Sequence, residues 1–245
     1  MLSVPWRYQC FKGIFLSVTN KMVESLLQCQ TFSQMFFHII EKVRILKLYI
    51  SKTISQTIKK EVYIYSSVMN TYSGRKFDPM KIAPEDVYLE DIAHALSLVC
   101  RGGGQIRWFY SVGQHSINCA HEALARGWSD RMALACLLHD ASECYISDVI
   151  RPVKVHLQNY LEIESMIMDA IWEKFHLDDL TDEENQKWKQ IDNEILELEL
   201  KTLMKGEKDR EIIPLSSTPD LSERTFSSVE KEFKELALEL FQKLS

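Results

Sequence analysis

One segment of the sequence is apolar on every side of the helix that it would form. Residues 132–138 read Met-Ala-Leu-Ala-Cys-Leu-Leu, and His139 and Asp140 follow directly. A helix without a polar face belongs in the interior of a bundle rather than at its surface. Burying a histidine and an aspartate there costs free energy unless they are paired or bind a metal ion. The segment therefore predicts a helical protein whose core holds either a satisfied polar cluster or a metal site.

The rest of the sequence also favours helices over strands. Only 8 glycines and 6 prolines occur in 245 residues, and a hydrophobic content of 46% with 26% charged residues is ordinary for a globular protein. Apolar residues recur at helical spacing in several segments. These segments are residues 87–101, 112–126, 129–143, 156–175, 181–204 and 227–244. We therefore predict an all-α bundle with about six main helices.

Local signals predict where these helices begin and end. Ser129 is a predicted N-cap, and Thr181 and Ser227 each begin a capping box, in which an acidic side chain three residues later bonds back to the cap. Gly102 is the first of three glycines expected to end the first helix, because glycine favours the position after a helix C-terminus. Pro152 is expected to break residues 145–154 into a loop.

Residues 1–68 differ in composition from the rest of the chain. They are poor in acidic residues and rich in Ile, Lys, Ser, Tyr and Phe, and residues 20–30 and 34–50 could form amphipathic helices. A basic N-terminus of this kind can be an organelle transit segment or a helical accessory segment. The composition also resembles translated AT-rich DNA, and we favour initiation at Met69. We expect the domain at residues 69–245, with residues 1–68 as an extension of open status.

Charge, cysteines and hydropathy exclude several classes of function. The chain has a net charge of −6, and its acidic part lies after residue 68, so we expect no nucleic-acid binding, which requires neutralised phosphates. The 6 cysteines contain no Cys-x-x-Cys pair, which indicates a reducing compartment, and Cys119 and Cys136 are interpreted as small hydrophobic residues. No apolar run approaches the ~18 residues of a membrane span. We expect a cytoplasmic protein with no membrane partner.

Histidines and aspartates in three predicted helices are candidate metal ligands. His115 begins the second helix, His139 and Asp140 end the third, and Asp192 lies within the fifth. Helical bundles build metal sites from inward-facing side chains of this kind. Imidazole and carboxylate ligands together suit Mn, Fe, Co, Ni or Zn. The alternative interpretations are a polar core at residues 139–140, a surface histidine at 115, and a solvated acidic face that Asp192 would share with Glu194, Glu197 and Glu199.

Further charged residues follow the His-Asp pair. Glu143 is four residues after His139 and would share its helix face, which places a carboxylate beside the ion without making it a ligand. Asp148, Arg151 and Lys154 come next. A metal ion, a free carboxylate and nearby cations are what phosphoester hydrolysis requires, for activating water, moving protons and binding phosphate. The alternative is that the two cations only belong to a surface loop.

Four blocks of the sequence together resemble the HD superfamily of metal-dependent phosphohydrolases, and within it the small bacterial 5′-deoxynucleotidases and related phage and bacterial hydrolases. The similarity covers roughly residues 70–205. The matching blocks are residues 91–98, 109–116, 139–154 and 189–192. The resemblance implies an HD-domain helical bundle that binds one divalent transition metal ion (Mn, Co, Fe, Ni or Zn), and it allows a homodimer.

The resemblance also implies roles for individual residues. His115, His139, Asp140 and Asp192 would bind the ion. Glu143 would be the catalytic carboxylate, and Asp148 would orient water or a substrate hydroxyl.

Substrate-binding residues are also implied by the resemblance. Arg101 matches the phosphate-binding arginine of the family, and Lys154 and Arg151 are further candidates for contacting phosphate. The deoxynucleotidases have an Arg-Trp pair at this place, whereas here glycines follow Arg101 and Trp108 comes later. Trp108 and Tyr145 are candidates for stacking on a base.

We therefore expect a metal-dependent phosphohydrolase that acts on a small-molecule phosphate ester, foremost a (deoxy)nucleoside 5′-monophosphate. The alternatives are hydrolysis of nucleoside triphosphates, cyclic nucleotides or (p)ppGpp at the same site. A different class of function is a non-catalytic regulatory module whose ion stabilises the fold. The carboxylates Glu143 and Asp148 favour an enzyme, since a structural ion requires neither.

Overall fold

The computed structural model describes residues 40–41, 43–48 and 67–244, and the chain divides into two units, residues 1–66 and 67–245. In the first unit, residues 40–41 and 43–48 are helical. The helix expected at residues 20–30 lies outside the described residues. Initiation at Met69 stays a prediction.

Residues 67–244 form an all-α bundle, which confirms the predicted fold class. Six longer helices correspond to the predicted ones, and two further helices have a single turn each. The helices are α1 (Leu89–Leu98), α2 (Val112–Ala125), α3 (Asp130–Leu138), α4 (Glu143–Ile146), α5 (Arg151–Lys154), α6 (Gln158–Lys174), α7 (Asp182–Leu203) and α8 (Phe226–Gln242). Within the described ranges, none of the helices combines the length and hydrophobicity that crossing a membrane requires.

A short hairpin precedes the bundle. Strand β1 (Met69–Asn70) pairs antiparallel with β2 (Lys76–Phe77), so that Met69 lies opposite Phe77. The intervening turn is attached to α1, because the backbone N–H and the hydroxyl of Ser73 both donate to the carboxylate of Asp91. These hydrogen bonds therefore hold the hairpin against the N-terminal end of α1.

Helices α2 and α3 form the centre of the bundle. They pack against each other, and α7 and α8 each contact both of them. All seven residues of 132–138 are buried, as their apolar pattern predicts. Gly113 lets α1 approach α2 closely, since a Cβ atom there would lie 3.2 Å from the backbone of Leu96. The residues next to Gly113 and at the end of α3 are therefore held rigidly inside the core.

The first helix ends earlier than the glycines predict. Helix α1 stops at Leu98, and Val99 and Cys100 are extended because this segment pairs with residues 110–112. The N–H of Arg101 donates to the carbonyl of Tyr110, and the N–H of Val112 donates to the carbonyl of Val99. The glycines instead form a 3₁₀ turn, in which Gly102 has a φ of 61°. The prediction of a helix to residue 101 was wrong because this pairing is not local.

Three other boundaries also differ from the prediction. Helix α3 ends at Leu138 instead of residue 143, and a turn at residues 139–142 separates it from α4. Pro152 lies in the first turn of α5 and begins a helix instead of breaking one, because that position needs no donor. The N-cap of α8 is Thr225 instead of Ser227, and its side chain accepts from the N–H of Ser228.

A buried glutamate attaches the segment after α7 to the core. The carboxylate of Glu122 on α2 accepts hydrogen bonds from the backbone N–H groups of Ser216 and Ser217, from the Ser217 hydroxyl and from Arg126. Burial alone would raise the pKa of Glu122, but these donors outweigh it and the pKa is lowered. The charged form of Glu122 is therefore the one that the fold stabilises.

Replacing this carboxylate by its amide tests the interaction. Glu122→Gln should lower the free energy of unfolding at neutral pH by about 2 kcal/mol, since the bonds to a charged acceptor are lost. Because the folded-state pKa is lowered, the contribution is complete above the usual glutamate pKa of about 4.3 and disappears as the pH falls through the folded-state value. Urea denaturation at decreasing pH should show the difference between the two proteins shrinking. A difference that is independent of pH would contradict a role for the charge.

Candidate metal centre

Three helices bring the four predicted metal ligands together. His115 lies in the first turn of α2, whose N-cap Ser111 accepts from the N–H of Gln114. His139 caps the C-terminus of α3 and Asp140 follows it, while Asp192 lies in the middle of α7. Helix α7 contacts both α2 and α3. The site therefore forms where the ends of the two central helices meet the side of a third.

The ligand atoms lie at distances that fit a metal ion. The Nε2 atoms of the two histidines are 3.3 Å apart. Asp192 Oδ1 is 3.3 Å from His115 Nε2, and Asp140 Oδ2 is 3.3 Å from His139 Nε2. Ligands bound about 2.1 Å from one ion lie about 3.0–3.4 Å from each other in octahedral or tetrahedral arrangements. The two other histidine–aspartate separations are longer, 3.8 Å from His115 Nε2 to Asp140 Oδ2 and 3.7 Å from His139 Nε2 to Asp192 Oδ1. The four side chains therefore converge on one centre, with two pairs wider than either geometry.

The other ring nitrogens are fixed by hydrogen bonds that leave Nε2 available. His139 Nδ1 lies 2.7 Å from the carbonyl oxygen of Cys136, and since a carbonyl can only accept, this nitrogen carries the proton. His115 Nδ1 lies 2.6 Å from Glu199 Oε1, where a carboxylate accepts in the same way. In its neutral form, each ring therefore presents the Nε2 lone pair to the centre. Such bonds orient histidine ligands in metal proteins.

The centre gathers negative charge inside the protein. Burial would lower the pKa of His139, yet Asp140 and Asp192 outweigh it and the pKa is raised well above the usual value. Burial would raise the pKa of both aspartates, yet the imidazoles and, for Asp140, the guanidinium of Arg101 lower it. The chain's own groups therefore hold the aspartates ionised and draw protons onto histidines. A bound cation would replace those protons.

A cysteine also lies next to the histidines. The ligand atoms of His115, Cys119 and His139 all lie within 4.8 Å of one another, and the three residues are buried. This group could hold a metal ion. The sequence analysis interpreted Cys119 only as a small hydrophobic residue. The signal that could have identified it is its position four residues after His115 on one helix.

Glu199 is a second residue of the site that the sequence analysis missed. It is 4% exposed and accepts a hydrogen bond from the hydroxyl of Tyr110 at 2.8 Å, in addition to its contact with His115. The interpretation of an acidic solvated face was therefore wrong for Glu199. The available signal was its spacing of seven residues from Asp192, which places both on one side of a helix.

A cavity of about 520 Å³ opens over the centre. Its polar wall includes most of the predicted site residues: Arg101, Asp140, Glu143, Asp148, Arg151, Lys154 and Asp192. Apolar residues also line the cavity: Ile106, Val149, Ile150, Leu196, Leu200, Leu203 and Met204. Within the part of the chain that the structure describes, no aromatic side chain lines this cavity. The two histidines lie behind the aspartates, in the core.

The structure places Trp108 and Tyr145 away from the cavity. The indole N–H of Trp108 donates to the carbonyl oxygen of Leu221 at 2.8 Å, which connects it to the segment between α7 and α8. Tyr145 packs edge to face on Phe77 of the hairpin. Both aromatic residues therefore pack against other parts of the fold. The structure does not bring them to the other predicted site residues.

Glu143 lines the cavity, but it lies on a different helix from the one that the sequence predicts. It begins α4 after the turn at residues 139–142, so it does not share a helix face with His139. Its side chain is buried, Oε1 is 3.9 Å from Lys154 Nζ, and Oε2 has no hydrogen-bond partner. Burial raises the pKa of Glu143 well above the usual value, and Asp140 and Asp148 raise it further. The site therefore contains a carboxyl group able to exchange a proton.

The three candidate cations differ in what they contact. The side chain of Arg101 is 12% exposed and donates to Asp140 at 3.1 Å and to Glu199 at 3.5 Å. The side chain of Arg151 is 59% exposed and donates to Asp192 Oδ2 at 3.4 Å. Lys154 forms an ion pair with Glu164. All three line the cavity, so an anion there would meet positive charge on several sides.

A strained residue directs Asp148 to the cavity. Ser147 has φ 67° and ψ 159°, a conformation in which glycine is favoured. Its carbonyl oxygen accepts from the hydroxyl of Tyr160 at 2.7 Å, and Asp148 Oδ2 accepts from the N–H of Gly102 at 3.0 Å. The two bonds hold the turn between α4 and α5 in place.

Comparisons with known proteins show relatives without an assigned activity. No protein-family model matches the chain. It is 37% identical over 111 residues to the uncharacterized protein YfdR of Escherichia coli K12, across 45% of this chain and 60% of that protein. It is 40% identical over 111 residues to the uncharacterized protein RCAP_rcc00048 of Rhodobacter capsulatus, across 43% of this chain and 56% of that protein. The chain thus spans less than two thirds of the length of either relative.

The contact between Glu199 and His115 leads to a test by metal affinity. Glu199→Gln should weaken binding of a divalent transition ion by about tenfold or more, since a carboxylate behind a histidine ligand orients the ring and raises its basicity. Equilibrium dialysis of the full chain with metal analysis measures the effect. Glu197→Gln is the matched control, because Glu197 pairs with Arg210 instead of a histidine. Equal affinities of the two variants would contradict the assignment.

Proposed function

We propose that the protein is a metal-dependent phosphohydrolase whose substrates are phosphate esters, foremost (deoxy)nucleoside 5′-monophosphates. The observation that carries the proposal is the carboxyl group of Glu143. It is 2% exposed, has an unpartnered oxygen and lines the same cavity as Asp140 and Asp192. A solely structural metal site has no use for such a group. The resemblance of four sequence blocks to the HD superfamily supports the same conclusion.

The residues of the centre fit a resident metal ion. His115, His139, Asp140 and Asp192 would hold it, because their ligand atoms converge and their mixed imidazole and carboxylate chemistry suits divalent transition metals. When bound, such an ion lowers the pKa of water and polarises a phosphoryl oxygen.

Glu143 is the group that moves the proton. Its carboxylate would accept a proton from the attacking water, and the protonated form would return that proton to the leaving oxygen. A carboxyl group beside the reacting atoms is what general acid–base catalysis requires. Asp148 is held by the N–H of Gly102 and orients water or a substrate hydroxyl.

The charged groups around the cavity bind the phosphate. Lys154 and Arg151 of α5 and Arg101 all line the cavity, so that a phosphate there would be neutralised by cations from two segments of the chain. Arg101 also contacts Asp140, which keeps the guanidinium in a fixed position. Arginine suits this role because its planar group donates several hydrogen bonds to one phosphate.

The apolar residues of the cavity bind the leaving group. A cavity of about 520 Å³ has room for a drug-sized molecule, within the range of ordinary ligand sites. Ile106, Leu200 and Met204 are among the apolar residues that line it. A phosphate ester with a flat, partly apolar group such as a nucleobase matches a cavity lined by both charged and apolar residues.

The experiment is phosphate release by the purified full chain. Ribo- and deoxynucleoside mono-, di- and triphosphates are offered with Mn²⁺, Co²⁺ or Mg²⁺, and Asp140→Ala is the control. Orthophosphate from monophosphates that disappears in the control would support the proposal. Turnover of triphosphates alone would overturn the substrate class. Absence of turnover across the panel, with metal bound, would overturn the nucleotide hydrolase and favour a regulatory module.

The separate roles of ligand and proton carrier lead to a prediction on two variants. Asp192→Ala should lose both bound metal and activity, while Glu143→Gln should keep the metal and lose about 10²–10⁴-fold in kcat, because only proton transfer is removed. Metal analysis and steady-state kinetics on the same preparations distinguish them. Glu183→Gln is the control, because Glu183 pairs with Lys187 at the surface. This variant should keep both the bound metal and the activity. Equal metal loss in both variants would make Glu143 a ligand.

A further inference from the structure

Cys119 lies on the side of the centre that faces the core. It follows His115 by one turn of α2, is 1% exposed, and its Sγ atom is 3.6 Å from His115 Nε2. Asp140 and Asp192 approach the same two imidazoles and line the cavity, whereas Cys119 does not. The histidines are therefore shared between a carboxylate side open to the cavity and a sulfur side closed to it.

Two distances on the sulfur side fit ligands that bind one ion. Typical bond lengths of about 2.3 Å to sulfur and about 2.0–2.1 Å to nitrogen give tetrahedral separations of about 3.6 Å between S and N and about 3.3–3.4 Å between two N atoms. The observed separations are 3.6 Å from Cys119 Sγ to His115 Nε2 and 3.3 Å between the two Nε2 atoms. Cys119, His115 and His139 therefore lie at separations that ligands of a single ion can have, and the ligand atoms of Cys119 and His139 are within 4.8 Å of each other.

A second buried cysteine shows that burial alone does not produce this geometry. Cys136 on α3 is also 1% exposed, and its backbone carbonyl accepts from His139 Nδ1. Its sulfur is not part of the group whose ligand atoms converge. Cys136 therefore behaves as the small hydrophobic residue that the sequence analysis expected of both thiols, and it provides a matched comparison.

We propose that Cys119 is a thiolate ligand of the centre, and that it makes the site select Zn²⁺, Co²⁺ or Fe²⁺ over Mg²⁺ and Mn²⁺. On binding, the S–H bond of Cys119 breaks, a sulfur–metal bond forms and the proton leaves to solvent. Thiolate favours the softer ions, whereas carboxylate and water suit Mg²⁺ and Mn²⁺. The inference depends on the metal centre and not on hydrolysis, so it stands or fails separately from the proposed activity.

Cobalt spectroscopy tests the ligand directly. The full chain is loaded with CoCl₂ alone, and the thiolate-to-cobalt charge-transfer absorption in the near ultraviolet is recorded. The wild type and Cys136→Ser should show the band, and Cys119→Ser should lose it while keeping the helical circular dichroism of the wild type. Absence of the band from the wild type would overturn the inference without the use of any variant. Its persistence in Cys119→Ser would do the same.

Competition between ions tests the selectivity. The full chain is dialysed against equal concentrations of Zn²⁺ and Mn²⁺, and the bound metals are then analysed. The Zn:Mn ratio should be about tenfold or more lower in Cys119→Ser than in the wild type. Loss of a residue that only supports a ligand already lowers metal affinity by about this factor. Cys136→Ser should leave the ratio unchanged. A loss of both ions in equal proportion would show that Cys119 only supports the packing and would contradict the inference.

Discussion

The site depends on one physical constraint: ionised carboxylates are held within reach of two imidazoles inside an apolar bundle. Asp140 and Asp192 are mostly shielded from solvent, and Glu199 is buried beside them. Removing such charges from water is expensive unless opposite charges accompany them. Arg101 and protons on the histidines supply part of that charge. A divalent cation supplies it more compactly, which is why we interpret this cluster as a metal centre.

The bundle holds this cluster through a chain of hydrogen bonds that begins far along the sequence. The side-chain amide of Asn118 donates to the carbonyl of Asp220 and to the hydroxyl of Tyr110. Tyr110 donates to Glu199, which accepts from His115. The segment between α7 and α8 thereby supports a histidine in the core. A histidine whose Nδ1 is already held by a carboxylate needs little reorganisation when its Nε2 binds an ion.

Sequence reasoning found the parts of the site that depend on local patterns. The apolar run before His139 predicted the central helix, and the structure brings His115, Asp140 and Asp192 to its end. It missed the features that depend on contacts between segments distant in the sequence. The sequence around Glu199 is typical of an exposed, charged helix. Only its contact with the buried His115 shows that Glu199 belongs to the site. The early end of α1 likewise results from pairing with residues 110–112, which no local signal encodes.

The central claim is that the buried cluster binds a divalent ion, and thermal unfolding with added metal tests it most directly. An ion that binds only the folded state stabilises it by about 2.7 kcal/mol at a concentration of 100 times Kd. The account predicts that the Tm of the full chain rises with Zn²⁺ or Co²⁺ and returns on chelation. The double variant His115→Ala, His139→Ala, checked for a cooperative transition, should show no rise. An equal rise in that variant, or none in the wild type, would contradict the account.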